Sequence, residues 1–238
     1  MTMGNNEYHI PVLLHDAVQM LITDADGIYV DVTFGGGGHS SEILAQISSK
    51  AKLVAFDQDA DALENLIDDD RFVFVPQNFA FVKNNLRLNR LYPVDGLLAD
   101  LGVSSHQFDT ADRGFSFRYD AELDMRMDKK VPLDAEKVLH EYDEVKVFEV
   151  FKLYGELKNA RSIASRVVYK RADAPFRTIE DLKRALYNLA PKMKENRFFA
   201  QVFQALRIEV NQEMEVLKLL LEQMTDVVKV GGRIVFIT

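Results

Sequence analysis

Ile28-Tyr-Val-Asp31-Val-Thr-Phe-Gly35-Gly-Gly-Gly38-His39-Ser40 decides the fold of this chain. A short apolar strand pattern runs straight into four consecutive glycines. After Ser40 a helical pattern follows, with Ile43, Leu44 and Ile47 on one face. Strand, glycine turn and helix together form the cofactor loop of a doubly wound α/β sheet. Glycine lets a ligand lie against bare backbone and tolerates positive φ. A second strand pattern, Lys52-Leu-Val-Ala-Phe-Asp57, ends in an acid 19 positions after Gly38. Such folds place the carboxylate that takes ribose hydroxyls about there.

The loop also narrows the cofactor. A dinucleotide fingerprint wants a third glycine for close helix–strand packing, and here that place holds Ser40 or Ser41. No lysine follows the glycines, so the loop is not a P-loop. Asp31 precedes it, where an acid can meet a cationic group. S-adenosylmethionine has an ammonium, a ribose diol and no phosphate. It suits an acid–glycine–acid arrangement better than NAD, and a NAD-dependent dehydrogenase is the weaker reading.

Strands are expected at 28–33, 52–57, 72–75 and 94–100, with helices at Asp16–Ile22, Ala60–Ile67 and Phe81–Leu91 between them. Alternation of this kind implies a parallel sheet. The rhythm stops after Asp100. Residues 101–132 read as irregular, and from about 134 to 208 only helical patterns appear. Val145, Phe148 and Phe151 form one apolar stripe, and Ile163, Val167 and Val168 another. Thr178 reads as a helix cap. Strand logic resumes at Gly231-Gly-Arg-Ile-Val-Phe-Ile-Thr238. The organisation expected is a sheet domain of 1–104 and 209–238, with a helical insertion at 105–208.

Composition bounds the function. The 238 residues contain no cysteine, which excludes disulfides and thiolate metal sites. His9, His15, His106 and His140 show no metal-ligand spacing, and no metal is expected. No apolar run reaches membrane-spanning length and no signal pattern opens the chain, so a cytoplasmic protein is expected. Net charge is −8, yet residues 152–207 hold thirteen Lys/Arg against five acids, a balance of +8. A basic block in an acidic chain is the footprint of a polyanion partner. Arg161, Arg166 and Lys170 are its candidate contacts.

Several motifs carry a resemblance. They are His9-Ile-Pro-Val-Leu-Leu, the glycine loop, Ala55-Phe-Asp57, Asp100-Leu-Gly-Val-Ser-Ser, Arg113-Gly-Phe-Ser-Phe, Leu123-Asp-Met-Arg-Met-Asp and Gly231-Gly-Arg. In this order they resemble the ribosomal RNA small-subunit methyltransferase H family, also called MraW. The resemblance implies a Rossmann-like methyltransferase sheet with an inserted helical, RNA-recognising domain. It implies methyl transfer from S-adenosylmethionine to the exocyclic amine N4 of a cytosine in 16S rRNA, with 16S rRNA or the small ribosomal subunit as partner.

Residue by residue, the resemblance places the cofactor against Gly37, Gly38 and His39. Asp57 would hold the ribose and Phe79 the adenine, with Asp100 and Gln107 on the methionine side. Asp100, or a backbone carbonyl of 101–104, is the candidate acceptor of the amine proton. Phe115 and Phe117 are candidates to stack on an unstacked base, and Arg113, Arg118 and Arg126 to take phosphates. Members of that family continue past the Gly-Gly-Arg strand with further sheet. A non-catalytic cofactor- or RNA-binding form is therefore the alternative. An apolar strand left at the sheet edge would favour self-association, and a homo-oligomer is an expectation.

Overall fold

A computed structural model describes residues 11–238. His9 and Ile10, from the opening motif of the resemblance, lie outside the described residues. The chain divides into two compact units, one of residues up to Ser105 together with Val216–Thr238, the other of His106–Glu215.

The first unit is a Rossmann-like α/β sheet. Its strands are β1 (Ile28–Asp31), β2 (Lys52–Phe56), β3 (Phe72–Val75), β4 (Val94–Asp100) and β5 (Val228–Ile237). They are all parallel, in the order β3-β2-β1-β4-β5. β1 and β4 are apolar because both faces are covered. One core gathers Val30, Val54, Phe56, Leu86, Leu97 and Val227, and another gathers Val18, Leu21, Tyr29, Ile43, Leu53 and Leu98. Alternate residues of one strand thus serve opposite faces. α1 (Leu14–Leu21) and α2 (Gly38–Gln46) supply the second layer, and α3 (Val82–Leu88) the first.

Local chemistry sets the element ends. The expected helix at 60–67 is a 3-10 turn over Ala60–Asn65, capped by Asp59 accepting from the Asp61 amide. α3 stops at Leu88, earlier than expected, because Arg90 takes φ +59 and the Leu91 amide turns back to the Leu86 carbonyl at 2.9 Å. β5 begins at Val228, ahead of the Gly-Gly pair, and a register break between Val94 and Gly96 absorbs the glycines. Val230, Ile234 and Phe236 on this outermost strand are exposed.

The second unit contains α4 (Ser105–Asp109) from its second residue on, α5 (Ala135–Glu141), α6 (Glu144–Leu153), α7 (Ala160–Asp173), α8 (Ile179–Leu186) and α9 (Glu195–Val210); α10 (Glu213–Val227) starts in it and continues into the first. The unit runs past 208, the boundary expected from the sequence, because α9 continues to Val210. The α6 stripe is shifted. Val147, Val150 and Phe151 are buried, whereas Val145 is 66% exposed. A helix starting after the Asp143 cap turns Val145 outward. Thr178 caps α8 with a full capping box, since the Asp181 carboxylate returns to the Thr178 amide.

The polar motifs between α4 and α5 form the interior of this unit. Gly114 has φ +75, and a Cβ there would stand 2.5 Å from the Glu122 carbonyl oxygen, so only glycine fits. Arg113 is 4% exposed. Its Nη2 donates to the carbonyls of Arg126 and Met127, at 3.0 and 3.3 Å. Arg126 grips Asp124 through Nε–Oδ1 at 2.6 Å and Nη2–Oδ2 at 3.0 Å. Asn211 accepts the Met127 amide and donates to the Met125 carbonyl.

Candidate functional site

Parallel strands deliver their carboxyl ends to one edge, and that edge of the first unit collects the expected cofactor residues other than Gln107. Main-chain bonds hold it in register. The Val32 amide donates to Leu98, Phe34 to Phe56, Asp57 to Val75 and Leu101 to Ile237. The loop after β1 is therefore tied to β2 and β4 before any side chain acts.

The four glycines have different duties. Gly37 takes φ +78 as the N-cap of α2, and a Cβ there would meet the Phe34 ring at 3.0 Å. Phe34 is itself fixed between Phe72 and Phe74, with centroids 5.4 and 5.3 Å away. At Gly38 a Cβ would stand 2.4 Å from Pro11 Cγ. Both positions need glycine for packing. Among the described residues, Gly36 faces open space, with nothing within 4 Å of a built Cβ. It is the bare backbone of the loop, and the sequence alone did not single it out.

Asp31 corrects an expectation. It is fully buried, and it accepts from Ser40 Oγ at 2.7 Å and from the Thr33 amide at 3.0 Å. Burial pushes its carboxyl above the usual range, against the Ser40 hydrogen bond. It ties the loop to α2 rather than meeting a ligand's charge. Ser40, which spoils a dinucleotide pattern, is thus the partner of this buried acid.

Asp57 accepts the Gly35 amide on Oδ2 at 2.7 Å and the Asp59 amide on Oδ1 at 2.8 Å. Burial pushes it up to about 6, partly offset by those amides. Each oxygen keeps a further lone pair. Beyond it, Asn78 Nδ2 donates to Gln58 Oε1 at 2.7 Å, joining the loops after β2 and β3. Phe79 opens the 3-10 turn that Asn78 caps and is packed in part against the core. Neither Gln58 nor Asn78 stood out in the sequence.

The Asp100 amide donates to Thr33 Oγ1 at 2.7 Å, which links the end of β4 to the loop after β1. His39 Nδ1 lies 3.8 Å from Asp100 Oδ2; the imidazole is 5% exposed and the carboxylate 35%. Among the described residues, the buried His39 Nε2 has no hydrogen-bond partner. Burial raises Asp100, and His39 pulls it back down. Gln107 is buried on α4 in the second unit.

The candidate RNA contacts divide. Arg113 and Phe115 are buried, with the guanidinium over the Phe115 ring, so they are interior and not phosphate or base contacts. Phe117 packs against Phe199 and Phe203, and Arg126 is held by Asp124. Arg118 and Arg161 are exposed, each over a phenylalanine ring, Phe108 and Phe148. Arg166 is half-buried, and Lys170 pairs with Asp173 at 3.4 Å. Among the described residues no cluster of three or more His, Asp or Glu is placed to hold a metal ion, and no helix is long and apolar enough to cross a membrane.

Sequence comparison shows the kinship of the chain. The family model described as MraW methylase family matches residues 6–238. Ribosomal RNA small subunit methyltransferase H of Flavobacterium johnsoniae is 54% identical over 95% of this chain and 75% of its own length. The protein of that name from Cytophaga hutchinsonii is 51% identical over 97% of this chain and 78% of its own. The one from Bacteroides fragilis is 49% identical over 97% and 76%.

Proposed function

The chain belongs to the MraW methylase family, and on that premise we propose that it is an S-adenosylmethionine-dependent methyltransferase acting on the exocyclic N4 amine of a cytosine in 16S ribosomal RNA. The observation that carries the reading is the convergence of the open Gly36 backbone, Asp57 and Asp100 at one edge of the sheet.

The residues fit that cofactor. No lysine or arginine stands in the loop from Val32 to Ser41, as a phosphate-free ligand allows. Asp57 has acceptor positions left for a ribose diol. Among the described residues, Gly36 leaves room at the backbone and the buried Nε2 of His39 lacks a partner. Gly37, Gly38 and His39 would hold the cofactor from the loop, Phe79 would lie on the adenine, and Asp100 would serve the methionine side; the role of Gln107 rests on the family resemblance alone. When bound, S-adenosylmethionine supplies a methyl group already activated on a sulfonium.

The protein's task is then alignment and proton acceptance. A cytosine amine is a weak nucleophile because its lone pair is delocalised into the ring. Holding it in line with the methyl carbon supplies much of the acceleration. Asp100, partly exposed at the end of β4, would accept an amine proton, and its exposure supports that reading. Its backbone is fixed by the bond of its amide to Thr33 Oγ1. The target base must leave its stack to reach this edge. The second unit, with its exposed cations, is the proposed RNA-recognising part. Such a substrate places the protein in the cytoplasm.

The test is methyl transfer from labelled S-adenosylmethionine to 16S rRNA and to small ribosomal subunits, followed by nucleoside analysis. Label in N4-methylcytidine is the expected result. Label confined to another nucleoside, or none on either substrate with cofactor bound, overturns the proposal.

A further inference from the structure

The helical unit is electrically lopsided along its length. α6 ends at Leu153 and turns through 154–159 into α7. α9 runs antiparallel beside α6. Gln204 Nε2 donates to the Tyr154 carbonyl at 3.2 Å and Gln201 Nε2 to the Gly155 carbonyl at 2.9 Å. Further along, the Tyr142 hydroxyl donates to Glu209 Oε1 at 2.8 Å. The first turn of α9 therefore projects beside the α6–α7 turn. Asn159 Nδ2 donates to the Leu189 carbonyl at 2.9 Å, which fastens the segment before α9 onto the same turn.

Two stretches some thirty residues apart thus bring Lys152, Lys158, Arg161, Lys192, Lys194 and Arg197 to one end of the unit. All six are exposed, and none is ion-paired among the described residues. Glu156 and Glu195 share this end, and Glu195 already accepts the Met193 amide at 3.1 Å. The other end carries Glu141, Asp143 and Glu144, all exposed, with Glu209 bound by Tyr142. Exposed apolar groups stand among the cations, with Met193 at 95%, Leu153 at 66% and Tyr187 at 62%. Unpaired cations interleaved with apolar and aromatic surface suit an RNA strand, phosphates on the charges and bases or sugars between them.

We infer that the α6–α7 turn and the start of α9 form the phosphate-binding surface of the helical unit, in place of the whole basic block. The inference rests on the reading of the chain as a 16S rRNA methyltransferase. The middle and far end of α7 take little part. Lys170 is paired with Asp173, and Arg171 Nη1 donates to the carbonyls of Leu139 and Tyr142 at 2.9 and 2.6 Å. Each phosphate neutralised contributes a slope of roughly 0.7–0.9 to the dependence of log affinity on log salt, single strands at the lower value.

The experiment measures binding of the intact chain to 16S rRNA across a salt series. The variants are a triple reversal (Lys158→Glu, Arg161→Glu, Arg197→Glu), the matching triple alanine substitution, and Arg177→Glu. Arg177 follows the far end of α7 and is exposed, so it gives a charge change away from the turn. Thermal melts and S-adenosylmethionine titration verify folding and the sheet unit. The triple reversal is expected to lower RNA affinity at least tenfold and the salt slope by about 2–3. The alanine triple is expected to lower the slope likewise, and Arg177→Glu to change affinity less than twofold. Wild-type affinity and slope in the folded triple alanine variant overturn the inference. So does loss of binding to small subunits with naked rRNA binding retained, which assigns the surface to a protein partner. Failure of the wild type to bind or methylate rRNA strikes the functional reading itself, and the inference with it.

Discussion

His39 Nδ1 stands 3.8 Å from Asp100 Oδ2, joining the first turn of α2 to the end of β4 across the open edge of the sheet. The imidazole is shielded and the carboxylate is about one third exposed. Asp100 must be ionised to accept a proton, and burial raises its pKa while His39 lowers it. The rate should therefore fall on the acid side at a higher pH than for an ordinary carboxylate. His39→Gln removes the lowering influence and should move that limb to still higher pH. Asp100→Asn should cut kcat by about a hundredfold or more, the scale of a lost general base, with cofactor affinity changed only a few-fold. The pH profile of kcat checks the first, and an unmoved acid limb in His39→Gln would break the link between the two residues.

Asp57 gives two pH effects of opposite sign. Its carboxyl is raised to about 6. Cofactor binding through the ionised form should weaken as pH falls through 6. In the free protein, the contribution of this group to stability is full below the unfolded carboxylate value and is lost as pH rises through 6. Asp57→Asn should weaken cofactor binding by roughly 1.5–3 kcal/mol, the scale of hydrogen bonds to a charged group. It should also flatten the pH dependence near 6. Calorimetric titration between pH 5 and 8 is the measurement, and an unchanged dissociation constant removes Asp57 from the site.

The loop glycines should separate by role. Gly36→Ala meets no atom within 4 Å and has no positive φ, so the protein should keep its melting temperature. Its cofactor affinity should drop, because the methyl group occupies ligand space. Gly37→Ala is strained at φ +78 and meets Phe34, and should destabilise by about 1–3 kcal/mol. Melting curves paired with cofactor titration distinguish the two, and equal effects in both would show that the loop does not divide in this way.

Arg113 is a stability residue. Arg113→Ala leaves the carbonyls of Arg126 and Met127 without their donor inside the second unit. The expected cost is about 2–4 kcal/mol, since each bond carries a charge and the cavity adds to it. The salt slope of RNA binding by the remaining folded protein should not change. A stable Arg113→Ala protein with a lower slope would return Arg113 to the RNA-contacting set.

Local pattern was enough for the sheet unit. Ile28–Asp31 followed by four glycines, and Lys52–Phe56 followed by Asp57, specify strand, loop and carboxylate within short stretches of chain. A parallel sheet then sends every such loop to one edge, so Gly36, Asp57 and Asp100 meet without further instruction. Residues that act through partners were not legible. Asn78 and Gln58 are ordinary polar residues until two loops approach, and Ser40 looks like a defect in a glycine pattern until Asp31 is seen buried beside it.

The helical unit shows where sequence reading stops. Its charge excess could be counted along the chain, but a count cannot tell a paired cation from a free one. Arg113, Arg126 and Arg171 are spent on carbonyls and on Asp124, while Lys158, Arg161 and Arg197 face water at one end. Sequence by itself determined the fold class, the glycine loop between β1 and α2 and the kinship, because these rest on short-range pattern. The tertiary structure alone decided which charges and aromatics are interior, because burial depends on contacts between segments tens of residues apart, and a guanidinium stays available to a partner only where no carbonyl or carboxylate has reached it first.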